Sequence, residues 1–253
     1  MKQLFRLLVV FLLVPGFVAA QAPKEPGRWS VGIAGGPLFN QIQGSTPLFQ
    51  YSNKTGYQAG ASLTYRIGES FSVRAELMAD SRSFGSSLYS QGLRETDTSR
   101  YVCWDCYYDY NIRFFTHYLT LPVVFEYSQE LKYMGIAFRA GGYYSVLISA
   151  AHEGYEAFYL DPHGTKPFTL IDFTPGFYRS HYTGLVDDVI NTYDAGLSIG
   201  VGLWRQVGKS VKIEADVSMR LGFANVFENP LMPEIMHRHA VVKLGLVRQI
   251  STK

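Results

Sequence analysis

The residues of this 253-residue chain that could do chemistry are two cysteines, six histidines and a set of regularly spaced charges. Cys103 and Cys106 form the motif CWDC. A redox CxxC is expected at a helix N-terminus beside a βαβ unit, and a zinc site needs a second pair of ligands. The chain holds only two Cys, and His117 is the nearest His. Outside the cytoplasm the pair is expected to close a local disulfide that stiffens a loop tip. Free or intermolecular thiols, or a metal or redox role, are the alternatives. His237 and His239 flank Arg238 as an H-x-H pair that one strand face could offer to a metal; at an interfacial strand start they are expected in the headgroup zone. His117, His152, Glu153, Asp161, His163, Asp172 and His181 fall at strand rims or in loops. A hydrolase needs a nucleophile or activated water, a base and an orienting partner. Neither G-x-S-x-G nor H-E-x-x-H occurs, so these residues read as solvated loop residues. No catalytic, cofactor or metal-ligand set is assigned.

The charges that carry a pattern lie on strands. From Gly56 to Arg82, every second residue is apolar: Tyr57, Ala59, Ala61, Leu63, Tyr65 and Ile67, then, after an IGES turn, Phe71, Val73, Ala75, Leu77 and Ala79. Between the latter stand Ser72, Arg74, Glu76, Asp80 and Arg82, with Met78 as the apolar exception. Alternation with period two gives a hairpin with one apolar and one charged face. Each apolar run covers about 10 residues, the length a tilted strand needs to cross a bilayer. The apolar face is therefore assigned to lipid and the charged face to the inside of a closed barrel.

Six further segments complete the set. Trp29 to Phe39 is the first strand; strands starting near Phe115, Lys132, Tyr193, Val211 and Arg238 follow the hairpin. Pro122 interrupts one of them and is placed at a bulge. The connections alternate long and short, as in membrane barrels with short periplasmic turns and long extracellular loops. The fold class is all-β: an eight-stranded antiparallel transmembrane β-barrel, with both termini periplasmic. Its long loops are Asn40 to Thr55, Phe84 to Ile112, Ala151 to Asn191 and Ala224 to His237. Tyr101, Trp104, Tyr107, Tyr108 and Tyr110 enrich the second; Phe158, Tyr159, Phe168, Phe173, Phe177, Tyr178 and Tyr182 enrich the third. They offer either a surface for a protein or glycan or packing between loops.

The inner face then collects Arg66, Arg74, Arg82, Arg139, Lys212, Arg220 and Lys243 against Glu76, Asp80, Glu126, Asp194, Glu214 and Asp216, nearly neutral in sum. Eight strands leave just enough room for side chains to fill, and buried charges must pair. A salt-bridged plug is expected; a selective ion path is the alternative.

The rest of the chain sets the compartment. Lys2 and Arg6, an apolar run from Leu7 to Val18, and the small residues Ala19 and Ala20 read as a secretory signal peptide over residues 1–20. Residues 21–28 form a leader, and 29–253 the barrel domain. The 23 Lys and Arg form no basic stripe, which argues against nucleic acid. Charged residues at 17% and aromatics at 15% suit a barrel with aromatic girdles. A soluble lipocalin-like barrel would sort its faces the other way.

Four stretches carry a family resemblance. HYLTLPVVFEY (His117 to Tyr127), FRAGGYYSVLISA (Phe138 to Ala150), YDAGLSIGVGL (Tyr193 to Leu203) and SMRLGFANVFE (Ser218 to Glu228) resemble strands of the PorT-like outer-membrane β-barrels common in Bacteroidota-type bacteria. The resemblance covers most of the mature chain and implies an eight-stranded barrel in the bacterial outer membrane, with a Pro in the strand that holds Pro122. Two features depart from the family pattern. The Cys pair is absent from it, and such barrels finish on an aromatic residue where this chain reads Arg248-Gln249-Ile250-Ser251-Thr252-Lys253. The role expected is non-enzymatic: structural, adhesive, or accessory to secretion or uptake. A rim hydrolase acting on lipid or peptide and a small pore are the alternatives.

Overall fold

The computed structural model describes residues 29–44, 50–91, 107–131, 134–159, 163, 179–185, 189–207, 210–228 and 234–250. The described residues form nine strands: β1 (Trp29–Gln43), β2 (Gln50–Arg66), β3 (Phe71–Gln91), β4 (Tyr107–Glu130), β5 (Gly135–Tyr159), β6 (Arg179–Leu185), β7 (Tyr193–Gln206), β8 (Val211–Asn225) and β9 (Met236–Ile250). Each neighbour is antiparallel. The order β4-β3-β2-β1-β9-β8-β7-β5 closes through a β4–β5 pairing, which removes every edge at membrane level. The barrel wall is thus eight strands. The signal peptide, the leader and the Cys103–Cys106 pair lie outside the described residues.

The period-two pattern sorts the side chains as the membrane demands. Leu63, Leu77, Ile199 and Val217 face outward with 44 to 57% exposure, whereas Arg74 and Glu214 are 3% and 8% exposed inside. A soluble barrel has the opposite sorting, so the outward face is the lipid face. At one end of the barrel a short turn at Ile67–Ser70 joins β2 to β3, and the Val207 N–H donates to the Val211 carbonyl between β7 and β8. Trp29 and Tyr65 pack at this end, their ring centroids 4.7 Å apart and their planes tilted by 47°, as an interfacial aromatic pair.

The strands run further than the hydrophobic alternation indicates. β3, β4 and β5 span 21, 24 and 25 residues, about twice what a bilayer requires. Phe84–Gln91, Tyr107–Ile112 and Ala151–Tyr159, expected as loop, are strand. Above the bilayer the outward face meets water, so the polar–apolar contrast fades while the backbone still needs ladder partners. A ninth strand also lies within the expected loop Ala151 to Asn191. β7 pairs with β5 from Gly135 to Val146, and β6 pairs with it from Ala151 to Ala157, so a second partner satisfies the projecting half of β5.

Pro122 sits at no bulge. The β3–β4 register is unchanged on either side of it, but the pairing skips from Ala75↔Val123 to Met78↔Thr120. Pairing to β5 continues through Pro122↔Tyr143. The missing N–H therefore costs a local gap on the β3 side only. The bulge in β4–β5 falls instead at His117/Tyr118.

Candidate functional site

The lumen is the site, and it is layered along the barrel axis. The periplasmic mouth is polar, lined by Ser30, Thr64, Arg66, Ser72, Lys212 and Gln249 among others. Arg66 and Lys212 are half-buried here, and neither forms an ion pair with another described residue. The Lys212 ammonium lies 3.7 Å from the ring centroid of Trp204 instead, a cation–π contact.

The next layer is a dense ionic network. Arg74 donates to Glu76 at 2.9 Å and to Glu214 at 2.7 Å. Arg139 donates to Glu126 at 2.7 Å, to Glu214 at 3.3 Å and to Asp216. Lys243 donates to Glu76 at 2.6 Å and approaches Asp216 at 3.6 Å. Three cations thus hold four carboxylates contributed by β3, β4 and β8. The Arg139 guanidinium has room because β7 carries Gly202 beside it: a Cβ there would meet Arg139 Nη1 at 2.6 Å and Cζ at 3.2 Å.

A second ionic layer lies above it, centred on fully buried Arg82. Its guanidinium donates to Asp194 at 2.8 Å, Asp80 at 3.2 Å, Thr120 at 3.2 Å and Ser145 at 2.9 Å. Arg220 donates to the same Asp80 oxygen at 2.9 Å, and Tyr143 to Asp194 at 3.0 Å. Arg82 also stacks 4.3 Å from the Tyr118 ring centroid. The Arg82 fork satisfies four acceptors at once, which a lysine in its place cannot do.

His237 and His239 come next, and their position corrects the expectation that they lie in the headgroup zone. Both point inward and are 1% exposed. The reason is parity: His237, His239, Val241 and Lys243 share the buried face of β9 while Met236, Arg238 and Ala240 face out. Their rings stack with centroids 5.2 Å apart, and His237 Nδ1 lies 3.2 Å from Asn40 Oδ1. No described group of three or more His, Cys, Asp or Glu is arranged to hold a metal.

An apolar lid ends the lumen. Ile42, Phe84, Ile112, Phe114, Ala150, Ile190, Val226, Phe227 and Ile235 form one buried cluster, with Tyr51, Leu147 and Val189 packed on it. Phe84 and Phe114 stack at 4.9 Å, and Phe227 meets both edge-on. Backbone bonds from Val226 to Ile235 and from Asn191 to Val226 tie the connecting segments over it. Burial against this cluster raises the Tyr51 phenol, which lies on the part of β2 beyond the bilayer.

The rim candidates among the described residues take separate positions. His117 is exposed on the outer face of β4; His152 sits beside the lid, 6.3 Å from the Phe114 ring. Glu153 pairs with Arg113 at 3.8 Å, half exposed. His163 is exposed, His181 lies on β6, and Asp161 and Asp172 are outside the described residues. Of the loop aromatics, Tyr107, Tyr108 and Tyr110 belong to β4, Phe158 and Tyr159 to β5, and Tyr182 to β6; the others are not among the described residues. The apolar lid has no periodic signature in the sequence, because Ile42, Phe84, Ile112, Phe114 and Ala150 come from the upper ends of four strands and Ile190, Val226, Phe227 and Ile235 from the connecting segments.

The profile of the family described as "Outer membrane protein beta-barrel domain" matches residues 19–228. The chain belongs to this family, and its place is the bacterial outer membrane. No curated relative matches it. Solved structures similar in fold include Ail, the attachment invasion locus protein of Yersinia pestis, at 11% identity and a TM-score of 0.37 over 89% of this chain and 100% of that one. The outer membrane protein OprG from Pseudomonas aeruginosa is 10% identical, with a TM-score of 0.41 over 88% and 96%. The outer membrane protease OmpT from Escherichia coli is 12% identical, with a TM-score of 0.34 over 92% and 100%.

Proposed function

We propose that this member of the outer-membrane β-barrel family is a non-enzymatic, closed barrel of the PorT-like kind. Its wall anchors a projecting sheet that presents itself to a protein or glycan outside the cell. The observation that carries this reading is the filled lumen: two ion-paired layers beneath an apolar lid leave the molecule's outer end as the part available for work. His237 and His239 are both 1% exposed and lie beyond a substrate's reach, which speaks against this pair as a rim site. The stretches resembling PorT-like barrels fall on β4, β5, β7 and β8, four wall strands, in keeping with an accessory or adhesive role for that scaffold. We also propose that Cys103 and Cys106 form a disulfide in the connection between β3 and β4.

Purified protein in planar bilayers tests the closed lumen: the reading expects no steady conductance above the lipid background. Stable single-channel steps argue for the small pore instead. A pull-down from intact cells, with and without deletion of residues 92–106, tests the role. Loss of a captured protein or glycan upon deletion supports presentation by this sheet; capture that ignores the deletion argues against it.

A further inference from the structure

The lipid face is not evenly covered. On β1, β2 and β3 the outward residues alternate in bulk across neighbouring strands. Ile33 stands beside Ala61, and Ala61 beside Leu77; one row nearer the periplasm, Val31 stands beside Leu63, and Leu63 beside Ala75. Above them Gly35, Ala59 and Ala79 form a third row of small residues. The alanines leave a hollow between the larger side chains. The hollow is part of a shallow, open groove that continues to Leu121 on β4 and Val211 on β8; the groove as a whole holds about 660 Å³, and Ala61, Ala75 and Arg248 line it.

Arg248 is the informative member. It faces outward from β9, opposite Val31 on one side and Val211 on the other, and is exposed. Trp29, paired with Ile250, marks the interface two residues further toward the periplasm. The guanidinium therefore lies inside the aromatic level, on a surface otherwise apolar, and no described carboxylate pairs with it. A cation on the lipid face is costly unless it finds an anion near the headgroups. An apolar trough with a cation at its periplasmic end matches a molecule with a fatty tail and an anionic head.

We propose that this face is a binding site for one glycerophospholipid of the periplasmic leaflet. An acyl chain fills the hollow over Ala61 and Ala75, and the phosphate pairs with Arg248. A second copy of the chain fits less well, because it would bury Arg248 against its own twin.

Native mass spectrometry of the full-length protein in a neutral detergent, titrated with dimyristoyl phosphatidylglycerol, tests this. Inorganic phosphate serves as the control for the head alone. The expected result is one retained lipid, no retained phosphate, and affinity about fivefold weaker in Arg248→Gln. The double variant Ala61→Phe/Ala75→Phe fills the trough and is expected to abolish retention. Heat-modifiable migration on gels verifies that both variants are folded barrels, and a variant that fails it is replaced by Ala75→Leu alone. Retention unchanged in both variants overturns the proposal. So does a dimer that the filled-trough variant dissolves while lipid retention is unaffected.

Discussion

Arg139 is the side chain on which the lower ionic layer depends most, because it donates to Glu126, Glu214 and Asp216 together. Arg139→Leu leaves these carboxylates short of a donor in a site shielded from water. Its expected cost is about 3–5 kcal/mol in urea unfolding of the reconstituted barrel, whereas Arg139→Lys recovers only part of it, since one ammonium cannot reproduce the fork. Gly202→Val makes the same point from the opposite wall: the new side chain occupies the space of the guanidinium, and the variant is expected to lose stability comparably while Gly68→Val, in open space at a turn, does not. Because these pairs are buried, raising ionic strength to about 0.5 M is expected to leave unfolding midpoints of the wild type nearly unchanged. Sequence parity could place Arg74, Arg82, Arg139 and Arg220 on one face, since a period of two needs no tertiary information. It could not say that Arg82 would reach Asp194 across 112 positions of chain, because that depends on which strands oppose each other across a closed cylinder.

The strands themselves were legible where lipid demands contrast and illegible where it does not. β7 reads cleanly from its alternation of Tyr193, Ala195, Leu197 and Ile199 with Asp194, Gly196 and Ser198. The upper part of β3, Ser83-Phe84-Gly85-Ser86, does not, because all four positions are buried and small polar residues there give no hydrophobic alternation. Phe84 is fully buried and is the centre of the lid. Phe84→Ala is expected to cost about 3–5 kcal/mol, measured by the same unfolding experiment. It is not expected to open a current, because the Arg82 and Arg139 layers lie in series below it. A variant that conducts would show that the lid alone seals the lumen. Pro122→Ala is expected to change stability by less than about 1 kcal/mol, because the ladder gap at Glu76 and Leu77 leaves no bond to break.

For the molecule as a whole, the sequence supplied compartment and class, because a barrel wall writes itself into the chain two residues at a time. Processing is expected after Ala20, so N-terminal sequencing of the membrane-extracted protein should begin at Gln21; a start at Met1 would remove the signal peptide. Intact mass with and without reductant should differ by about two hydrogens if Cys103 and Cys106 are joined. The long strands carry one more implication. β5 has a contour of about 80 Å at the usual rise per residue, and no break separates the part within the bilayer from the part beyond it. β3 and β4 run beside it along most of its length, with a one-residue offset at the His117/Tyr118 bulge and a skipped stretch of β3–β4 pairing beside Pro122. A tug on the exterior tip is therefore not absorbed by a hinge at the membrane surface. It travels as shear along three continuous rods into the wall, so that mechanical load applied outside the cell is borne by the whole cylinder.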